Sequence, residues 1–481
     1  MKIPHFALER QQKMTCGSIL FPLLFEAFKV LWPVVDPTGL LSLPTVGLLA
    51  VYAAGLLLLD RQRSACWITR TVLPTLSHDR MTALLRWVGQ FTLGNSPFST
   101  FAVRLVQAIV AATGMPGLLI LDDTMLPKLF AKAIWGVHRD RDPATGQVVP
   151  GIRMVWVIWT NGLLVIPLGF LIWHKRGHLP EEVRRYRTKN ELARVLLWTL
   201  HAKGLQGGLH VSYLLFDGWY CTKANLRLFQ RVGFFYITRF SPRYTVTYQG
   251  RVWLTRWLAW PFRKSSWHWY GAKVGYIKTF SVTWAGVGPL KLAILKATRH
   301  QKPQARTYLI SNAPTLSHLE FYAFRPRRWT VDVFFRTAKQ VVGWGHSPAR
   351  SSQTVVGHLV LGAIAYTILE VLCPQDAFGT HGSSLSDRFH IARRDRESIL
   401  EEVRARLQAL RWVHVEGPLL PWGDGVCAVA VEEPEVLFAP FCQGRLKGIA
   451  WKQMDFWALV SGILVGTRLW ALCQPQVWAA A

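Results

Sequence analysis

Charged residues recur at regular intervals in the stretch FRPRRWTVDVFFRTAKQVVGWG, residues 324–345. An α-helix advances by about 100° per residue, so such a helix would carry one polar stripe of four residues: Arg325, Arg328, Asp332 and Lys339. One carboxylate among three cations suits a metal ligand that lies beside a phosphate backbone. The ordinary alternative is a solvated helix face with surface ion pairs.

Two further acidic positions follow short apolar runs that are typical of buried strands. The run 118–121 precedes Asp122 and Asp123, and a second run precedes Asp217. Two such strands and a later helix can gather Asp123, Asp217 and Asp332 at one edge of a sheet. Carboxylates are hard ligands for Mg²⁺ or Mn²⁺, and two ions about 4 Å apart can promote phosphodiester cleavage. Asp122 is the alternative first acid, because the Asp-Asp pair leaves the register open by one residue.

The order and spacing of these motifs resemble the DDE cut-and-paste transposases of bacterial insertion sequences. That family carries a C-terminal signature of Tyr, Arg, Glu and Lys, and the same intervals here hold Arg325, Arg328, Asp332 and Lys339. Trp329 stands where the family commonly has Trp. Arg325 replaces the Tyr, and Asp332 replaces the third acid, Glu.

The motifs LDDT with Asp123 and FDGWY with Asp217 resemble the first and second acid motifs of the same family, so the likeness covers roughly residues 115–370. It implies a ribonuclease-H-like α/β fold with a mixed sheet, and two-metal-ion cleavage and strand transfer of an insertion sequence with Mg²⁺ or Mn²⁺. It also implies double-stranded DNA partners (terminal inverted repeats and target), a homodimer on paired ends and a hairpin-ended intermediate. The expected location is the bacterial cytoplasm, at the nucleoid.

Asp332 leaves one alternative open. Asp is one methylene shorter than Glu, which draws the carboxylate back toward its helix by roughly 1.5 Å. A displaced helix or a bridging water would absorb that difference. Otherwise the chain is a catalytically inactive DNA-binding relative of such an enzyme.

The charge distribution favours a polyanionic partner. The formal net charge is +28, and no Asp or Glu lies between Asp217 and Glu320, where tryptophans alternate with Lys and Arg. Cations can neutralise phosphates and indoles can stack on unpaired bases, although many of these tryptophans would also suit the core of a β-rich insertion. The expected DNA contacts are Arg251, Arg256, Arg263, Lys264, Arg325, Arg328, Trp329 and Lys339.

Two uncharged runs, Leu40–Leu59 and Val155–Trp173, raise the alternative of a membrane protein. Pro44 leaves the first run short of the roughly 20 helical residues needed to span a bilayer. Asn161-Gly162 divides the second run into two strands of a hairpin, Ile152–Thr160 and Leu163–Trp173. We therefore expect no membrane segment.

The predicted order of elements in the catalytic region is βββαβαβ, followed by the helix that bears Asp332. Five domains are predicted: a helical N-terminal domain (1–114), the first part of the catalytic domain (115–240), a basic Trp-rich insertion (241–321), the last part of the catalytic domain (322–375) and a C-terminal region for dimerisation (376–481). Seven scattered cysteines without a CxxC pair support neither a zinc site nor a disulfide framework.

Overall fold

The computed structural model describes most residues between 48 and 372, together with the short strands Trp412–His414 and Cys427–Val429. Between 48 and 372 the description omits residues 50–51, 54, 58, 60–62, 73–76, 91–96, 114–115, 132, 144, 163, 204–210, 260–266 and 272–274. Most of the predicted C-terminal region lies outside the described residues.

The helices and strands are numbered in chain order. Helices α1–α8 span Ala65–Val72, His78–Gln90, Pro97–Thr113, Lys189–Ala202, Lys223–Arg231, His318–Arg327, Thr330–Thr337 and Ser352–Leu372. Strands β1–β14 span Gly117–Pro127, His138–Arg141, Val148–Thr160, Val165–Trp173, Val211–Phe216, Tyr236–Arg239, Thr245–Tyr248, Arg251–Leu254, His268–Trp269, Tyr276–Trp284, Gly288–Lys296, Thr307–Ser311, Trp412–His414 and Cys427–Val429.

The chain divides into two compact units. The helical unit comprises residues 1–114, 125–152 and 335–481, and the sheet unit comprises residues 115–124 and 153–334. Strands β1 and β3 each pass from one unit to the other. The division into five domains stays a prediction.

In the helical unit, α2 and α8 approach closely at glycines. A Cβ on Gly89 would overlap the carbonyl of Gln353, and a Cβ on Gly357 would overlap that of Leu85. On the same helix, His358 is fully buried and its Nδ1 lies 2.7 Å from the Tyr52 hydroxyl. Burial lowers the pKa of His358 to about 3, so this histidine is a neutral core residue.

The sheet unit is built on one mixed sheet with the order β3-β1-β5-β6-β12-β11-β10-β7-β8, to which β4 adds beside β3 and β9 beside β10. Strand β5 runs parallel to β1 and to β6, whereas the pairs from β6 through β12, β11 and β10 to β7 and β8 are antiparallel. The architecture is therefore mixed α/β with a largely antiparallel sheet, consistent with a ribonuclease-H-like fold. The strands of the predicted insertion continue this sheet beyond β6.

Helices cover both faces of the sheet near β1 and β5. On one face, Phe216 contacts Phe229 of α5 with ring centroids 5.3 Å apart. On the other, Tyr213 contacts Phe324 of α6 at 4.8 Å, and Trp156 of β3 contacts Phe334 of α7 at 5.7 Å. Successive side chains of a strand point to opposite faces, so residues 213 and 216 follow the expected alternation.

The predicted hairpin in the second uncharged run is confirmed. Strands β3 and β4 pair antiparallel from Arg153↔Trp173 to Thr160↔Val165, and Gly162 in the connection has a φ of 94°, which favours glycine. The run is therefore sheet rather than a membrane helix. Among the residues that the structure describes, no helix combines the length and apolar character needed to cross a membrane.

Two local predictions were wrong. Strand β1 does not end at Asp123 but continues to Pro127; it is the pairing with β5 that ends before Asp122. The helix predicted over residues 324–345 is broken into α6, a turn at Arg328 and Trp329, α7 and the π-helical segment Ala338–Val342. Pro326, which has no amide hydrogen to donate, stands in the last turn of α6, and this helix ends at Arg327. The four residues of the predicted stripe therefore do not share one continuous helix.

Candidate active site

The first two acids lie where the parallel pairing of two neighbouring strands ends. The register of β1 and β5 runs to Leu121↔Phe216, so the next residues, Asp122 and Asp217, follow at the same edge of the sheet. Paired residues of adjacent strands share a face, which places Asp122 and Asp217 on the face covered by α6 and α7. Asp123, one residue later, points to the face covered by α4.

Asp123 is held by three side chains. Its carboxylate accepts hydrogen bonds from Arg153 at 2.8 Å, from Lys189 at 3.1 and 3.3 Å and from the Tyr220 hydroxyl at 3.0 Å. Arg153 comes from β3, Lys189 opens α4 and Tyr220 lies in the 3₁₀ turn that follows Asp217. Burial raises the pKa of Tyr220 well above its ordinary value, so this hydroxyl is a neutral donor.

Asp122 has a different environment. Its Oδ2 lies 2.7 Å from Nη1 of Arg328, and its Oδ1 accepts the backbone N–H of Asp123 at 2.8 Å. The pKa of Asp122 is raised to about 7: burial is the largest cause, the charges of Asp123 and Asp332 add to it, and Arg328 and the Asp123 N–H oppose it. Asp122 is thus a largely desolvated carboxyl group with two acidic neighbours.

The third acid, Asp332, approaches Asp122 through a shared arginine. Nη2 of Arg328 lies 3.9 Å from Oδ2 of Asp332, while Nη1 bonds to Asp122. Asp332 stands in the first turn of α7, where its N–H donates to the carbonyl of Trp329 at 3.0 Å. The turn between α6 and α7 therefore places Arg328 between two carboxylates.

Asp217 opens the 3₁₀ turn Gly218–Tyr220. Its backbone is extended, its carbonyl accepts the Tyr220 N–H at 2.9 Å, and its side chain makes no capping hydrogen bond to the turn. The side chain is half-buried. Sequence position and strand register bring Asp217 to the same edge as Asp122.

The donor set suits a hard divalent cation in its chemistry. Asp122, Asp217 and Asp332 offer carboxylate oxygens, and two of them already share the positive charge of Arg328. In the part of the chain that the structure describes, however, no three His, Cys, Asp or Glu side chains lie close enough to hold a metal ion. Binding would require these carboxylates to draw closer together.

The expected DNA contacts fall in several places. Arg251 is exposed on β8, Arg256 lies 5.3 Å from the ring centre of Trp257, and Trp329 is 58% exposed. Lys339 belongs to the helical unit. Arg325 lies in α6, but its side chain is not among the described ones. Arg263 and Lys264 lie outside the described residues.

Four of the described tryptophans of the predicted insertion form two pairs that differ in burial. Trp267 and Trp284 are buried, and each is covered by a cation: Lys296 lies 4.0 Å from the ring centre of Trp267, and Lys223 lies 5.6 Å from that of Trp284. Trp257 and Trp269 are exposed. The core interpretation thus applies to the first pair, and the second is accessible to a partner.

The sequence analysis missed Arg153, Lys189 and Tyr220. Arg153 is the sole charge in the buried run 151–160, and a buried charge requires a partner, which was a usable signal. Lys189 follows a capping box, in which Thr188 and Glu191 exchange hydrogen bonds, so its position at a helix start was also readable. Their common target, Asp123, could only be seen in three dimensions.

Comparison with known proteins gives two family matches. Residues 46–255 match the model of the DDE superfamily endonucleases, and residues 169–368 match that of the transposase DDE domain. A segment of 135 residues is also 28% identical to human rhotekin, covering 28% of this chain and 19% of that protein. The chain therefore spans about a fifth of the length of this relative. The chain is therefore similar to DDE endonucleases and transposases over residues 46–368, the part that contains Asp122, Asp217 and Asp332.

Proposed function

We propose that the chain is a DNA transposase that cuts an insertion sequence free and joins it to target DNA by a cut-and-paste mechanism. The observation that carries the proposal is the arrangement of three acids around the place where the pairing of β1 with β5 ends. Asp122 and Asp217 follow paired residues of β1 and β5, and Arg328 connects Asp122 to Asp332. The family matches support the same class of reaction.

Asp122 suits the role of first acid better than Asp123, which was the first choice from sequence. It shares a face with Asp217 and an arginine with Asp332, whereas Asp123 points to the opposite face. Arg153 and Lys189 also neutralise the charge of Asp123, so its carboxylate would gain little electrostatic energy from another cation. Asp123 then acts as the counter-ion that positions those two cations.

Asp122, Asp217 and Asp332 would hold the divalent ions, Mg²⁺ with Mn²⁺ as a substitute. When bound, such ions activate a water and stabilise the leaving oxygen of the phosphodiester. Arg328, which contacts Asp122, would neutralise phosphate charge beside these acids, and exposed Trp329 would meet a displaced base. Lys339, Arg325 and the insertion cations Arg251, Arg256, Arg263 and Lys264 would hold the DNA. A homodimer on paired ends and a hairpin-ended intermediate belong to the same proposal.

The test is cleavage of a duplex that carries the element end, taken from inverted repeats in the DNA that flanks the coding region. We expect nicking at the end with Mg²⁺ or Mn²⁺, no nicking in EDTA, and strand transfer once a target duplex is added. A chain that leaves this duplex intact with both metals would refute the proposed activity.

One observation favours a second candidate, a catalytically inactive DNA-binding relative. The guanidinium of Arg328 holds Asp122 at 2.7 Å, and the third acid has the shorter Asp side chain. Both features would weaken metal binding. End-specific DNA binding without metal-dependent nicking would identify this candidate.

A further inference from the structure

The 3₁₀ turn after β5 presents an indole to solvent next to a cation. Trp219 is 64% exposed, although a large aromatic side chain loses stabilisation when it stays in water. Nζ of Lys189 lies 5.2 Å from the centre of its ring, within the range of a cation–π contact. The pair stands two residues beyond Asp217, at the same strand edge as the carboxylates.

The charge of Lys189 is only partly compensated by Asp123. That carboxylate also accepts hydrogen bonds from Arg153 and Tyr220, so one negative charge serves three donors. The side chain of Lys189 is 19% exposed, which leaves its ammonium reachable from solvent. An anion that approaches the exposed indole would therefore meet a positive charge beside it.

The two parts of the pair are fixed relative to each other by a buried amide. Asn225 is fully buried, and its Nδ2 donates to Oδ1 of Asn190 at 2.7 Å and to the carbonyl of Tyr220 at 2.9 Å. Asn190 adjoins Lys189 in sequence, and Tyr220 adjoins Trp219. Arg194 bonds to the Oδ1 of the same asparagine at 2.8 Å, which fixes its orientation. The backbone segments that carry the indole and the ammonium are thus held together before any ligand binds, which reduces the conformational entropy lost on binding.

We propose that Lys189 and Trp219 form a subsite for one unpaired nucleotide, whose base stacks on the indole and whose phosphate lies beside the ammonium. An exposed ring suits bases of any sequence, because every base has a flat π-face. Trp329, which is 58% exposed, directly follows Arg328 in the turn between α6 and α7, on the other face of the sheet. A single strand that crosses the edge would therefore meet an aromatic ring and a cation on each side. The inference rests on the proposed function, since it takes DNA as the substrate.

The test measures binding without cleavage. The probe is a duplex with a single-stranded tail that carries the fluorescent base 2-aminopurine at its first unpaired position, in EDTA. We expect the full chain to quench the fluorescence, and Trp219→Ala to abolish the quenching and weaken binding of the tailed duplex by about 10-fold or more, as stacking is worth about 1–3 kcal/mol per base. Trp219→Phe should keep most of both effects. Blunt duplex should bind equally to all these proteins.

Trp198→Ala is the matched control, because Trp198 is 52% exposed on the same helix as Lys189 but nine residues further along the chain. It should behave like the parent. If Trp219→Ala quenches and binds like the parent, or if Trp198→Ala is equally impaired, the subsite is refuted. A change of oligomeric state in Trp219→Ala, with unchanged binding per protomer, would instead identify a protein contact and also refute it. Because EDTA prevents cleavage, a chain that fails to cut DNA can still pass this test.

Discussion

The two faces of strand β1 treat adjacent aspartates differently. On the face toward α4, Asp123 is surrounded by Arg153, Lys189 and Tyr220. On the face toward α6 and α7, Asp122 has one cation, Arg328, and a second carboxylate, Asp332, close enough to contribute to its raised pKa. Burial costs both carboxylates their hydration, but only the first face returns enough positive charge to offset it.

This difference separates structural from chemical roles. A fully paired carboxylate binds its neighbours together and gains little from a further cation. A carboxylate with a negative neighbour gains from a cation, and the pKa of Asp122 is raised mainly by burial, with Asp123 and Asp332 adding to the shift. We therefore propose that Asp123 positions Arg153 and Lys189 and that Asp122 faces the metal.

Substituting each aspartate by alanine tests the different roles of Asp122 and Asp123 most directly. Asp122→Ala should lower the rate of metal-dependent cleavage by at least about 10³-fold, which corresponds to about 4 kcal/mol of transition-state stabilisation. Asp123→Ala should lower it by about 10-fold, through misplaced Lys189 and Arg153. Single-turnover cleavage of the end duplex would measure both. The reverse order of the two variants would return the role of first acid to Asp123.

Substitution of the third acid tests whether Asp332 of α7 acts with Asp122 and Asp217 as a metal ligand. Asp332→Ala should lower cleavage by about 10²–10³-fold while DNA binding stays nearly unchanged, because it removes a ligand and leaves the basic surface intact. Asp332→Glu should keep activity, and should exceed the parent if the shorter side chain limits metal binding.

Glu320→Ala is the control for this series. Glu320 is exposed and accepts the Ser317 N–H at 2.6 Å at the start of α6, so it has a capping role. The Glu320→Ala variant should cleave DNA like the parent. If Asp332→Ala cuts as well as the parent, or Glu320→Ala alone loses activity, the position of the third acid is wrong.

Thermal unfolding extends the comparison to stability. Asp123→Asn removes the negative partner of Arg153, whose side chain is only 6% exposed. The unfolding free energy should fall by about 2 kcal/mol. Asp122→Asn removes a negative charge from a buried and locally negative position, so it should leave the melting temperature unchanged or raise it. Calorimetry in EDTA would compare the two variants. Equal destabilisation would show that the two faces do not differ.

The smallest effect expected of a single substitution concerns residues 241–306, which carry cations but no acidic residue. If residues 241–306 supply six or more phosphate contacts, raising salt from about 50 to 200 mM should weaken end binding by about 10³-fold. Arg251→Ala should reduce the slope of log affinity against log salt by about 1. Fluorescence anisotropy would measure both, with exposed Arg227→Ala of α5 as the control outside the insertion. A salt-independent affinity would contradict phosphate binding by these strands.

Local sequence signals predicted much of the sheet unit. The Asn161-Gly162 turn and the uncharged run around it predicted β3 and β4, and the helix after the first three strands of the predicted order is α4, Lys189–Ala202. These elements depend on short-range turn chemistry, helix capping and hydrophobic periodicity. All of these can be read within a few residues.

The features that sequence did not give depend on contacts between distant residues. Whether Asp122 or Asp123 faces Asp217 is decided by the pairing of β1 with β5, about ninety residues later in the chain. The polar stripe over residues 324–345 assumed an unbroken helix, and Pro326 at the end of α6 makes it two. The turn that results carries Arg328 to Asp122, a contact that helical spacing alone could not predict.

The pairing Leu121↔Phe216 has a consequence for changes in chain length. Loss of one residue from the run 118–121 would slide Asp123 into the place opposite Asp217, so a carboxylate would still face α7. Gain of one residue would put the apolar Leu121 there and leave the edge without its first acid. The doubled aspartate therefore keeps a carboxylate opposite Asp217 after a one-residue deletion, but not after a one-residue insertion.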